Sequence, residues 1–344
     1  MRKPRLELIF VGFGHVARRA AGLLDELRPR LPFEWTTVAV VTARHGYVRA
    51  DGGVDVAAAL ERLESNASLG REGERSTLEL LDDVCSAHGE VAEAGRLVCV
   101  ETTVLDIAAG EPAISHVRRA LGLGAHVVTA NKGPVAFEYS TLKQLAEAHH
   151  RRFLFEGAVM DGIPIFNLVR ETLPGVMVQG FRGVINSTTN HILTCLERGQ
   201  SFDAALAQMQ AEGIAEADPS LDVDGWDAAA KTAALMNVLL DARVTPHDIA
   251  RGGIRGVTAA DIATARADGK RLRLVAAADR GGRGRVGIER VDAADPLAGL
   301  EGQQNALLLE TDVLGEVGIL QRDGGLTQTA YALVSDLATI AERV

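Results

Sequence analysis

Cysteine is scarce in this 344-residue chain: Cys85, Cys99 and Cys195 are odd in number and far apart. They form neither a disulfide framework nor a zinc spacing, which predicts a reducing, cytoplasmic setting. No apolar run approaches the roughly 18 residues of a membrane span. The opening MRKPRLELIFVGFGH is basic and then apolar. Glu7 interrupts that run and no small-residue cleavage pattern follows, so it reads as a first strand, not a leader. Excess positive charge is absent too: 36 Lys and Arg stand against 46 Asp and Glu, a net charge of -10. That balance argues against nucleic-acid or anionic-membrane partners. The nine histidines show no metal-ligand spacing, and the pair His149–His150 reads as the solvated end of a helix. The sequence shows no repeat and no low-complexity tract.

Lysine is scarcer than its charge class suggests. It occurs only at Lys3, Lys132, Lys143, Lys231 and Lys270, every other basic position being arginine. Arginine cannot lose a proton in a protein, whereas lysine can. Lys231 ends the stretch EADPSLDVDGWDAAAK, in which Glu216, Asp218, Asp222, Asp224 and Asp227 surround one lysine. Five carboxylates about one ammonium suit a site that holds a small zwitterion and moves a proton. Asp227 and Lys231 are spaced i, i+4, so on a helix the carboxylate lies beside the ammonium and can orient it and tune its pKa. The plainer reading is an ordinary surface pair.

Strand and helix signals alternate along the first part: strands over 6–11, 35–41, 97–100 and 126–129, helices over 15–28, 54–64, 77–85, 113–121 and 135–149, and a loop over 42–53. Such alternation implies right-handed crossovers and a parallel sheet. The second half mixes strands (153–155, 176–185, 272–277, 285–290, 306–310) with helices (164–171, 189–198, 202–212, 225–240, 258–267) and ends in a helix over 327–343. The expected fold class is α/β: an N-terminal Rossmann-type nucleotide-binding domain (1–134), an α+β substrate and dimerisation domain (135–325), and a C-terminal helix (326–344) that returns to the first.

Gly12, Gly14 and Ala17 form G-x-G-x-x-A between the first strand and its helix, the context in which glycines let backbone approach a pyrophosphate and the helix N-terminus attracts it. The turn residues Gly12, Phe13, Gly14, His15 and Val16 are therefore candidate cofactor contacts. An NAD-preferring enzyme usually places an acid at the end of the second strand; here VVTARHG offers Arg44 instead, which tilts the choice toward NADP. TANKG puts Asn131 and Lys132 at a strand's carboxyl end, where ligands of open α/β sheets bind. Glu101, Thr102 and Thr103 lie similarly after another strand. EGAVMDGIP (156–164) reads as a glycine-bearing turn whose carbonyls could cradle a hard cation. NSTTN (186–190) reads as a helix N-cap.

Together these motifs resemble homoserine dehydrogenase over nearly the whole chain: GFGHVA, TANKGP, NSTTNHIL, GIAEADPSLDVDGWDAAAK, GIRGVTAADIATARADGKRLRLVA and DPLAGLEGQQNALLLETD. The resemblance is to a short form lacking the C-terminal ACT regulatory domain of longer members. It implies interconversion of L-homoserine and L-aspartate 4-semialdehyde with NAD or NADP, in threonine and methionine biosynthesis, by a homodimer. It also implies that Lys231 exchanges the hydroxyl proton, that Asp227 orients it, and that Glu216 and Asp222 hold the substrate's polar groups. Lys132 becomes a second polar contact or proton-transfer candidate, and a monovalent cation falls on the backbone oxygens of Glu156, Val159, Asp161 and Ile163.

Three stretches depart from the family's pattern. Gln321-Arg322-Asp323-Gly324-Gly325 stands where a G-x-G-A-G loop near the cofactor is common, Met160-Asp161 where small residues are common, and Ser187 where glycine is frequent. Two other readings stay open: a non-catalytic nucleotide-binding paralogue, and another semialdehyde or amino-acid dehydrogenase. Aspartate-semialdehyde dehydrogenase would need a nucleophilic cysteine, and neither Cys99, in a predicted strand, nor Cys195, in a predicted helix, suits that role.

Overall fold

The computed structural model describes residues 3–70, 75–211 and 218–344. The chain forms two compact units, Met1–Pro164 with Gly325–Val344, and Ile165–Gly324.

The first unit begins with β1 (Arg5–Val11), α1 (His15–Leu27), β2 (Glu34–Val41), β3 (Tyr47–Arg49), α2 (Val56–Glu64), α3 (Thr77–Ala87) and α4 (Gly89–Glu93). It continues with β4 (Leu97–Glu101), α5 (Ala113–Gly122), β5 (His126–Thr129), α6 (Gly133–Ala148) and β6 (Phe153–Leu154). The strand order is β3-β2-β1-β4-β5-β6, parallel throughout except at the β2–β3 edge. Leu6, Leu8, Ile9, Phe10 and Val11 are all buried, an apolar run broken only by the half-buried Glu7, close to that expected of a parallel strand covered on both faces. Helix α1 turns Ala17, Ala20, Ala21 and Leu24 inward, the i, i+3, i+4, i+7 spacing of one helical face.

The second unit holds β7 (Val178–Val184), α7 (Ser187–Glu197), α8 (Phe202–Ala211), α9 (Ser220–Val223), α10 (Trp226–Leu239) and β8 (Ala250–Arg251). It goes on through α11 (Ala259–Ala267), β9 (Lys270–Asp279), β10 (Gly284–Asp292), β11 (Asn305–Thr311) and β12 (Gly315–Gln321). Its sheet runs β12-β11-β7-β9-β10-β8 and is antiparallel apart from the short β8–β10 pairing. Arg273 on β9 is fully buried. Its guanidinium donates to Glu197 Oε1 at 2.8 Å and to the carbonyls of Ala298 and Leu300, both at 2.9 Å, tying the end of α7 to the sheet. The chain then returns to the first unit as α12 (Leu326–Ala341). There Ala330, Leu333, Val334, Leu337 and Ile340 join the core formed by β1 and α1.

Several expectations need correcting. The first unit extends beyond residue 134, through Pro164, because α6 and β6 complete its sheet layer. The loop expected over 42–53 contains β3, a short edge strand. Strand β12 was not anticipated, because GEVGILQ is glycine-punctuated and mostly exposed, which blurs the period-2 signal of an edge strand. The helix expected over 164–171 is chiefly a π-helical turn at Leu168–Thr172. Among the described residues no helix is long and apolar enough to cross a membrane.

Candidate active site

In the second unit, Gly225 sets the start of α10. It adopts φ 80°, and a Cβ there would lie 2.8 Å from the carbonyl oxygen of Gly252, so only glycine fits this turn. The turn launches Asp227 and Lys231 on successive helical turns, and Lys231 Nζ sits 2.9 Å from Asp227 Oδ2. Both side chains are largely buried, at 12% and 15% exposure, so the pair is not the solvated surface bridge of the plainer reading. Lys231 Nζ also donates to the carbonyl of Ile185 at 2.9 Å. Two acceptors on different elements fix where the ammonium points.

Asp222 on α9 belongs to the same cluster. Asn186, at the junction of β7 and α7, donates through Nδ2 to Asp222 Oδ1 at 2.7 Å and to Asp227 Oδ2 at 2.9 Å. Two carboxylates sharing one nitrogen repel by about 3 kcal/mol at an effective dielectric near 20; the amide donors and Lys231 offset this. Burial holds the Asp222 carboxyl above the usual carboxylate range, and the Asp227 charge pushes it the same way, against the pull of Asn186, Lys231 and Thr188. Asn186 does cap α7, accepting from Thr189 N at 2.8 Å, but its bonds to the two aspartates were not foreseen. Glu216 lies outside the described residues.

In the first unit, the glycine turn is built for close approach. Gly12 adopts φ 80°, and a Cβ on it would stand 2.8 Å from the backbone of Thr102 and Thr103. Thr102 Oγ1 donates to Gly12 O at 2.8 Å and Thr102 N to Val11 O at 2.8 Å, locking the β1 and β4 ends together. Gly14 precedes α1 with no side-chain cap and has open space where a Cβ would be. The N–H groups of the first helical turn, at His15 and Val16, thus border a space suited to an anion. Phe13, in contrast, is buried against Phe10, their ring centroids 5.2 Å apart, so only its backbone can serve a cofactor.

Behind this turn lies a polar cluster. Glu101 is fully buried and accepts from Thr103 N and Thr129 Oγ1, both at 2.9 Å, and from Thr103 Oγ1. Asn131 donates to Thr103 O at 3.0 Å and accepts from Gly133 N at 2.9 Å. Thr102, Asn131 and the β4 and β5 ends are therefore one bonded assembly. Lys132 stands at the N-terminus of α6 in this unit. Arg44 is exposed in the β2–β3 turn and makes no hydrogen bond or ion pair among the described residues.

The candidate cation turn is also in the first unit. Glu156 and Val159 are buried, Glu156 N donates to Asp336 on α12 at 2.9 Å, and Ile163 N donates to Met160 O at 3.1 Å. Met160, Asp161 and Gly162 are successive left-handed residues, φ 50°, 47° and 80°, the kind of strain that persists where surroundings over-determine it. All three cysteines are buried. Desolvation pushes the Cys85 thiol up to about 12 and raises Cys99 well above the thiol range, so neither supplies a thiolate nucleophile.

Residues 164–338 match the family model for homoserine dehydrogenase, and residues 12–156 the model for its NAD binding domain. A NAD(+)-dependent homoserine dehydrogenase of Pseudomonas canavaninivorans is 37% identical over 342 residues, 97% of this chain and 96% of that one. A crystal structure of a putative homoserine dehydrogenase from Archaeoglobus fulgidus superposes with TM-score 0.83 at 29% identity, covering 97% of this chain and 99% of that one. A hyperthermophilic archaeal homoserine dehydrogenase in complex with NADPH gives TM-score 0.81 at 30% identity, covering 99% and 98%.

Proposed function

Because the chain belongs to the homoserine dehydrogenase family, we propose that it interconverts L-homoserine and L-aspartate 4-semialdehyde with NAD(P), using Lys231 as the proton-transfer group. The observation that carries this reading is the buried Asp227–Lys231 pair, tied through Asn186 to Asp222. The glycine turn fits a dinucleotide, since a Cβ at Gly12 would fill its cradle. Bound nicotinamide supplies the hydride acceptor for oxidation and the donor for reduction.

In the reductive direction the Lys231 ammonium gives a proton to the aldehyde oxygen as hydride reaches the carbon; in oxidation the neutral amine takes the hydroxyl proton as the C–H bond breaks. Asp227 and the Ile185 carbonyl hold Nζ in place. Asp222 and Glu216 bind the substrate's polar groups, the α-ammonium among them. Gly12, Gly14 and the amides of Phe13, His15 and Val16 take the pyrophosphate, Thr102 and Asn131 line the nucleotide site, and Lys132 is a further polar contact or proton-transfer group. Two aspartates and one lysine gathered in a largely buried cluster cost desolvation that packing does not require, which disfavours a non-catalytic paralogue. NADPH oxidation with L-aspartate 4-semialdehyde tests the reading; no turnover with either NADPH or NADH would favour the binding-only alternative.

Cofactor choice follows from Arg44. Arg44 is exposed and makes no hydrogen bond or ion pair among the described residues, and a guanidinium at the end of the second strand suits a 2′-phosphate, which favours NADP. Arg44→Ala is expected to raise the KM for NADPH about tenfold, the worth of one phosphate contact, with the KM for NADH unchanged. Equal changes for both cofactors would contradict the assignment. The carbonyls of Glu156, Val159, Asp161 and Ile163 would hold a monovalent cation that stiffens the turn against α12. Exposed Val313, Leu314 and Leu320, on and beside β12, support a homodimer, and the buried thiols suit a reducing cytoplasm. Light scattering reads the dimer mass, and elemental analysis of dialysed protein reads the cation.

A further inference from the structure

We infer that Asn186 is a positioning residue for the reaction, the group that joins Asp222, Asp227 and Lys231 into one acid–base arrangement. The inference rests on the reading of that cluster as the catalytic site. A side-chain amide carries two N–H donors and an oxygen with two lone pairs. In Asn186 all four are used: Oδ1 accepts from Thr189 N and Thr189 Oγ1, both at 2.8 Å, and Nδ2 donates to the two aspartates. A backbone N–H can only donate, so the Thr189 bond decides which end of the amide is oxygen. The NH2 end is thereby committed to the carboxylates.

A helix cap does not require this. Aspartate or serine caps as well as asparagine, but aspartate donates nothing and serine donates once. The flanking residues extend the pattern. Ile185 accepts from Lys231 Nζ, and Ser187 Oγ accepts from Asn305 Nδ2 at 2.8 Å, whose amide also reaches Gln321 Oε1 at 3.2 Å. Asn305 and Gln321 are 1% and 3% exposed. Three consecutive residues at the β7–α7 junction therefore hold the lysine, both carboxylates, and a buried anchor on β11 and β12. With Glu197 bound to Arg273 at its far end, α7 is fixed along its length, and the acidic groups take their positions from it. Among the described residues, the charged groups facing Asp222 are Asp227 and Lys231 on α10, and α7 presents it the neutral Asn186 and Thr188.

Asn186→Asp tests this, because it keeps the cap and the side-chain length while removing both donors. With L-aspartate 4-semialdehyde and NADPH, its kcat is expected to fall about 100-fold, within the range of a misdirected general acid. The acidic limb of the kcat profile should move to higher pH, since Asp222 loses the donor that favours its ionised form. NADPH affinity and circular dichroism should match the parent. Asn186→Ser, which caps and adds no charge, should fall about tenfold by the same argument, and it decides the matter if the aspartate variant does not fold. A folded variant with kcat within about twofold of the parent and an unmoved acidic limb would overturn the inference. If Lys231→Ala remained fully active as well, the reading of the site itself would fail; if Lys231→Ala were impaired and the Asn186 variants were not, only the role of Asn186 would fail.

Discussion

Lys231→Ala is expected to lower kcat for L-aspartate 4-semialdehyde reduction by about 1,000-fold, the usual scale for losing a positioned general acid. NADPH affinity should stay near the parent value, because the proposed pyrophosphate contacts come from the glycine turn and not from Lys231. The size of the effect follows from how the ammonium is held. Asp227 Oδ2 and the Ile185 carbonyl each lie 2.9 Å from Nζ, from a helix and a strand end that are both buried in their own packing. A side chain fixed by two acceptors loses little entropy in reaching the reactive geometry. Removing it also leaves Asp222 and Asp227 without their cation, so KM for the semialdehyde should rise too. Steady-state kinetics beside a fluorescence titration of NADPH separates these effects, and unchanged kcat would refute the proton-transfer role.

Gly12→Ala is expected to weaken NADPH binding by about 100-fold, or about 3 kcal/mol, and to destabilise the fold by about 2 kcal/mol. The stability loss has two sources: an alanine at φ 80° costs about 1 kcal/mol, and its Cβ would stand 2.8 Å from the backbone of Thr102 and Thr103, which cannot rotate away. Pushing β4's end from β1's also breaks the Thr102 Oγ1 bond to Gly12 O. Gly14→Ala is the control. Gly14 has a negative φ and open space at its Cβ position, so the fold should tolerate the change while cofactor affinity falls. Thermal unfolding should separate the two variants in either case; if the turn were merely structural, NADPH titration would leave Gly14→Ala at the parent affinity.

Much of the site's geometry was legible because it is local. The i, i+4 spacing of Asp227 and Lys231 already places carboxylate beside ammonium on a helix, and G-x-G-x-x-A between strand and helix already describes a cradle. The parallel sheet of the first unit was legible from alternating strands and helices, and apolar strands such as LELIFV carry no ambiguity about burial. What stayed hidden is non-local. Asn186 lies 36 and 41 positions from the two aspartates it bonds, and its sequence context explains it fully as a helix cap, so nothing in the motif asks for a second role. Ile185 contributes only a carbonyl, which no side-chain pattern reports. The same holds for Asn305, whose bonds to Ser187 and Gln321 join strands and a helix far apart in sequence. Gln321 stands in the stretch where the chain departs from its family's glycine-rich pattern, and it is a buried strand end rather than an open loop residue. Strand β3 and strand β12 were missed for one reason: each is a sheet edge, where half the burial that makes strands visible is absent.

The most direct test of the account is the single-turnover rate of NADPH oxidation by Lys231→Met, a variant of similar length without a transferable proton, preloaded with NADPH and mixed with saturating L-aspartate 4-semialdehyde. NADPH is bound before mixing and the semialdehyde is saturating, so the rate excludes product release and reports the steps through hydride transfer. The account predicts rapid oxidation by the parent and a rate about 1,000-fold lower in the variant. Equal rates would show that the proton comes from elsewhere and that the buried Asp227–Lys231 pair is structural.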